Sequence, residues 1–168
     1  MTENVLERLF EHNNWANRRM IELCVTLTDE QLDAEPQTAA MGSIRSTLTH
    51  LVSAQRGYLS LLTMPLAERQ RTPVAFAELE AAAAASGEAL LAIARDPQSR
   101  HLEGKIQSRD GYLISPWVVM VQVINHASEH REQISSMLTA LGVTPPDLDG
   151  WSYGEAAGAI MPADGEGG

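Results

Sequence analysis

Two histidines, His126 and His130, stand four residues apart in a stretch with helical periodicity. At about 100° per residue they project about 40° apart, on the side that also carries Val119, Val123, Ile134, Met137 and Leu141. Two imidazoles one turn apart on a buried face can chelate one divalent metal through neutral ring nitrogens. A third, His50, lies at the edge of another apolar helix face, beside Ala54, Gly57 and Leu61. Facing helices of a bundle can bring such a residue to the same ion. The plainer alternative is that all three are core histidines satisfied by hydrogen bonds. Three imidazoles with no carboxylate would leave a bound ion at least one open position, the mark of a catalytic rather than a structural site. Zinc held in this way lowers the pKa of bound water to about 7, or binds a thiolate directly. Zinc and nickel are the first expectations; iron, manganese and copper are also compatible.

The run His126-Ala127-Ser128-Glu129-His130 also matches H-x-x-E-H, the inverted zinc-protease pattern. That chemistry needs a further carboxylate ligand from well downstream, where the glutamates are Glu155 and Glu166, in a loop and a tail. Glu129 therefore reads as a residue on the flank of its helix. Asn13 and Asn17 fall inside an apolar stripe and must find partners. They either line a substrate pocket or bond between helices and specify their register. Arg131 directly follows a histidine and either binds a substrate carboxylate or forms a surface ion pair. Trp15, Trp117 and Trp151 read as packing residues. No residue stands out as a nucleophile or general base.

Four helices position these groups. The first runs from about Glu3 to Leu27, with Thr2 as N-cap and Leu6, Leu9, Phe10, Met20, Cys24 and Leu27 in its stripe. A linker containing Pro36 follows. Ser43 caps a second helix that ends near Thr63, before Pro65, with Ile44, Leu48, Leu51, Tyr58 and Leu62 on its core face. A third is expected from Pro73 to Arg95, its alanine run Ala81 to Ala85 allowing close packing. Between Leu102 and Ile114 the period changes around the turn signal Arg109-Asp110-Gly111, which predicts a small hairpin or extended crossover. Ser115-Pro116 opens the fourth helix, which ends near Leu141 with Gly142 as C′. The segment Asp147 to Tyr153 is expected to fold back as a loop onto the body. Residues 1–155 thus form one all-α domain, a four-helix bundle, and 156–168 a Gly/Ala-rich flexible tail.

The 168 residues are 44% hydrophobic and 20% charged, enough for one domain with its own core. With Cys24 as the one cysteine, no intrachain disulfide or multi-cysteine zinc site can form. Lys+Arg 12 against Asp+Glu 22 leaves a net charge of -10, which repels nucleic acid and anionic lipid. No signal peptide and no apolar run of bilayer length is recognisable, so a cytoplasmic location is expected.

The stretch Asn13-Asn14-Trp15-Ala16-Asn17 resembles the YN-x-W-A-N signature of the DinB family of DNA-damage-inducible, DinB/YfiT-like metalloenzymes. The resemblance continues through Gly42-Ser43-Ile44 and Thr47-Leu48-Thr49-His50. It extends to Asn125-His126, His130-Arg131, Gln133 and Leu141-Gly142-Val143-Thr144-Pro145-Pro146-Asp147, covering Leu6 to Tyr153. It implies an up-down-down-up four-helix bundle, often a homodimer, with a divalent metal held by three histidines. Carried onto this chain these are His50, His126 and His130, the three that helical spacing had selected. His12 stands where the family often has tyrosine, either in the pocket as a fourth ligand or acid/base, or on the rim.

By the same resemblance the expected activity is a metal-dependent thiol S-transferase, using a low-molecular-weight thiol as co-substrate. One alternative is a metal-dependent hydrolase with Glu129 or His12 as proton shuttle. Another is a non-catalytic stress protein that binds a metal or small ligand.

Overall fold

The computed structural model describes residues 4–35, 42–69 and 72–161. Thr2, Pro36 and the tail from 162 onward lie outside the described residues. Helix α1 spans Val5–Cys24, shorter at both ends than its apolar stripe suggests, because Asn4 supplies the cap by accepting the Glu7 N–H. Leu9, expected in the buried stripe, is exposed. The expected linker contains a short helix, α2 (Asp29–Asp33), opened by a reciprocal capping box between Thr28 and Gln31. Helix α3 (Ile44–Thr63) starts at Ser43, whose hydroxyl accepts the Ser46 N–H, and stops at Met64 before Pro65.

Helix α4 runs Leu79–Arg95 and begins later than the proline at 73 predicts. The Val74 N–H donates to Ser53 Oγ at 2.9 Å, tying the incoming chain to α3 in an extended form. A 3-10 turn, Phe76–Glu78, then leads into the helix. Strands β1 (Ile106–Gln107) and β2 (Leu113–Ile114) form the small antiparallel hairpin, Ile106 opposite Ile114. Gly111 at its tip has φ 86°, a conformation that favours glycine. Helix α5 (Pro116–Ala140) has proline in its first turn and leaves through Gly142 at φ 74°. The Ser115 hydroxyl does not cap it but accepts from Lys105 Nζ at 2.6 Å. The expected closing loop contains α6 (Gly150–Ala156), because Asp149 caps a turn by accepting the Ser152 N–H.

The four long helices pack each against two others: α1 on α4 and α5, and α3 on the same pair. The contacts give their directions. Asn4 donates to the Ala94 carbonyl and Arg95 pairs with Glu7 and Glu11, so α1 and α4 are antiparallel. His50 meets His126 and His130 while Leu62 clusters with Val119 and Val123, so α3 and α5 are antiparallel too.

The core is divided. One apolar cluster holds Met20, Ile21, Leu48, Leu51, Val52, Leu79, Ile134 and Leu138; the other holds Phe10, Leu62, Leu90, Leu91, Val119 and Val123. Along every long helix a buried polar residue lies between the two: Asn13 and Asn17, Gln55, Ser86, and His130 with Arg131. Trp117 and Trp151 do not pack as expected; they are 66% and 76% exposed.

Candidate metal centre

The apolar spacing that buries Val123 and Ile134 turns His130 inward between them, so His130 is buried and His126, on the flank, is half-buried. His50 approaches from α3 and keeps an exposed edge. The structure brings the three rings together. His126 Nε2 lies 3.1 Å from His50 Nε2 and 3.1 Å from His130 Nε2, and one ligand atom from each residue fits within 4.8 Å. The rings meet at steep angles, 83° between His50 and His130 and 75° between His126 and His130. Tyr58 closes another side, its ring edge-on to His126 with centroids 5.5 Å apart.

These contacts cannot all be hydrogen bonds. A neutral imidazole nitrogen carries either one proton or one in-plane lone pair. The single Nε2 of His126 therefore cannot satisfy two partners at 3.1 Å in different directions. A cation between the rings removes the conflict by accepting all three lone pairs. Two nitrogens on a tetrahedral zinc at about 2.0–2.1 Å lie about 3.3 Å apart, near the 3.1 Å of the two pairs that involve His126. The rings also resist the competing proton. Burial, with the nearby His130 and His50, brings the His126 pKa down to about 4, and burial with His130 lowers that of His50. The donor set fits a divalent metal.

The second nitrogen of His130, Nδ1, lies 2.8 Å from Gln133 Oε1, one turn on along α5. Gln133 was visible in the sequence as i+3 from a histidine, but an amide on a helix flank carries no chemical signature by itself. Glu129 is exposed and no carboxylate joins the three-histidine cluster among the described residues.

The other sequence candidates sit elsewhere. Arg131 is only 5% exposed and, among the described residues, forms neither an ion pair nor a hydrogen bond to the three rings. Its Nη1 donates to Asn13 Oδ1 at 2.9 Å and Asn17 Oδ1 at 2.6 Å, and its Nη2 to Ser128 Oγ at 3.0 Å. Asn17 Nδ2 donates to Gln55 Oε1, and Gln55 donates to Ser86 Oγ and the Ala83 carbonyl. This chain crosses all four long helices. Burial brings the Arg131 pKa down to about 10, against the opposing pull of Glu132. His12 bonds through Nε2 to the Leu148 carbonyl at 2.7 Å and packs on Trp15 and Tyr153, holding the closing segment to α1. A cavity of about 400 Å³ opens between α1 and α4, lined by Asn17, Trp15, Glu88 and Tyr153 among others, and none of the three histidines lines it.

A largely helical chain that converges three imidazoles, without a carboxylate, belongs to the class of helical proteins with a candidate histidine metal site. The DinB family model matches residues 1–165, and the chain belongs to the DinB family. The fold is similar to the crystal structure of a DinB-like protein from Bacillus cereus ATCC 10987, with TM-score 0.64 and 19% identity over 86% of this chain and 95% of that one. No curated protein matches the sequence.

Proposed function

We propose that this protein is a metal-dependent enzyme of the thiol S-transferase type, with His50, His126 and His130 holding one divalent ion, zinc or nickel first. The observation that carries the reading is the gathering of one ligand nitrogen from each of three histidines within 4.8 Å, His50 being exposed, with no carboxylate in the cluster among the described residues. When bound, the ion would supply Lewis acidity, favouring the thiolate form of a coordinated thiol. The three rings would hold it through neutral nitrogens and leave its net charge undiminished. A small molecule would reach the ion from the exposed His50, while Tyr58 packs at a steep angle against the His126 ring. The chain's own thiol is no substitute: Cys24 is buried and its pKa is pushed up to about 12 by burial. A low-molecular-weight thiol must therefore enter as co-substrate.

In this reading the four long helices form an up-down-down-up four-helix bundle, and the protein works in the cytoplasm as a homodimer. Elemental analysis of tag-free protein tests the site. About one equivalent of divalent metal is expected in the wild type and none in a folded His126→Ala/His130→Ala variant; no metal in either, after reconstitution, overturns the proposal. Activity follows from a panel of thiols and electrophiles with the loaded protein. Turnover that requires the thiol and disappears in His126→Ala supports the transferase. Chelator-sensitive ester cleavage without thiol points instead to the hydrolase, and no turnover at all to a metal-binding protein.

A further inference from the structure

We infer that Gln133 is a positioning residue that selects the tautomer of His130 and thereby makes its Nε2 a metal ligand. The inference rests on the metal reading above and adds to it a residue outside the ligand set. A histidine can offer Nε2 to a cation only when the ring proton is on Nδ1. Gln133 Oε1 lies 2.8 Å from His130 Nδ1, and a carbonyl oxygen can only accept, so Nδ1 must donate. The lone pair then falls on Nε2, the atom that faces His126 Nε2 at 3.1 Å. His130 is also the buried member of the trio, with little water to fix its tautomer. Among the described residues neither His50 nor His126 has its second ring nitrogen bonded by a protein side chain; both rings are more exposed. The tautomer is therefore held at the one ring that solvent cannot hold.

The choice of an amide has a chemical consequence. A carboxylate in this place would draw the Nδ1 proton more strongly, raise the basicity of Nε2 and dampen the ion's acidity. A neutral amide orients the ring while leaving more Lewis acidity for the substrate.

Three proteins test this: wild type, Gln133→Leu, which removes the acceptor at similar volume, and Gln133→Glu, which keeps an acceptor. Affinity for Zn²⁺ and Co²⁺ is read by competition with a chromophoric chelator, and His130 ring ¹⁵N shifts are read in the metal-free proteins. Gln133→Leu is expected to bind about 10- to 100-fold more weakly. Its His130 shifts should move away from those of an Nδ1–H ring, with the thermal midpoint of the metal-free protein little changed. Gln133→Glu is expected to restore wild-type or tighter affinity. Unchanged affinity in Gln133→Leu, or equal losses in both variants, would overturn the inference. Should the wild type bind neither metal, the metal reading fails separately, and the ¹⁵N shifts still decide whether Gln133 sets the tautomer.

Discussion

The half-buried His126 has to remain neutral to serve as a ligand, and its surroundings enforce this. Burial first, then His130 and His50, hold its pKa at about 4 against an ordinary value of 6.5. In the unfolded chain the same ring takes a proton near 6.5, so between about 6.5 and about 4 the unfolded state binds more protons than the folded one. The contribution of this ring to stability is therefore fully present above the unfolded value and is lost as pH falls through that window. Urea titrations of metal-free protein across this range should show stability falling with pH, and the slope should become shallower in His126→Ala. Identical slopes in the two proteins would show that the ring titrates as if exposed.

At the scale of elements, the informative feature is the polar layer between the two apolar clusters. Arg131 is a buried cation with neutral bonding partners, held by Asn13, Asn17 and Ser128. Burying a charge is costly unless hydrogen bonds replace its hydration, so each acceptor counts. Asn17 is the hinge of the chain, since it both accepts from Arg131 and donates to Gln55. Asn17→Leu should cost about 3 kcal/mol in urea unfolding by leaving a buried charge and a buried amide short of partners. A cost below about 1 kcal/mol would mean that the layer relaxes or admits water. The same layer specifies which helices sit opposite one another, because a one-residue slip of α1 would place apolar groups against the guanidinium. It also carries α5 in fixed register behind His130, the residue next to Arg131.

For the whole molecule, one half of α5 joins exposed apolar side chains to an absence of charge. The chain carries -10, yet from Pro116 to Ser128 there is no charged residue. On that half of α5, Trp117, Val118 and Val121 are exposed, as are Tyr112 and Leu113 just before the helix. Uncharged helix faces with several exposed apolar residues are candidates for an interaction surface. A second copy of the chain meets least electrostatic repulsion there, which makes this face the one through which the proposed homodimer would form. Trp117→Glu/Val121→Glu should shift the mass measured by light scattering from dimer to monomer while leaving the helical circular dichroism unchanged. A wild type that is already monomeric at high micromolar concentration, or a dimer unaffected by the two charges, would reject this face.

Much of this was legible in the chain. The cap at Ser43, the prolines at 65 and 116, Gly142 and the period of 3.6 are local effects that act within one or two turns, so the sequence displays them directly. The same local rule placed His126 and His130 on one face. The sequence misled where a distant partner overrode a local signal. Pro73 marked a helix start that Ser53, on another helix, holds extended instead. Trp117 and Trp151 have the composition of core residues but lie on faces that the chain leaves uncovered. Asn13 and Asn17 announced a buried polar need without saying what would meet it, and Arg131, which read as a substrate or surface residue, proved to be the group that meets it. Their partners, like the meeting of His50 with His126 across 76 residues, are set by which helices pack together. That packing is a balance of the whole core and the buried polar layer between its two clusters, and no window of sequence contains it.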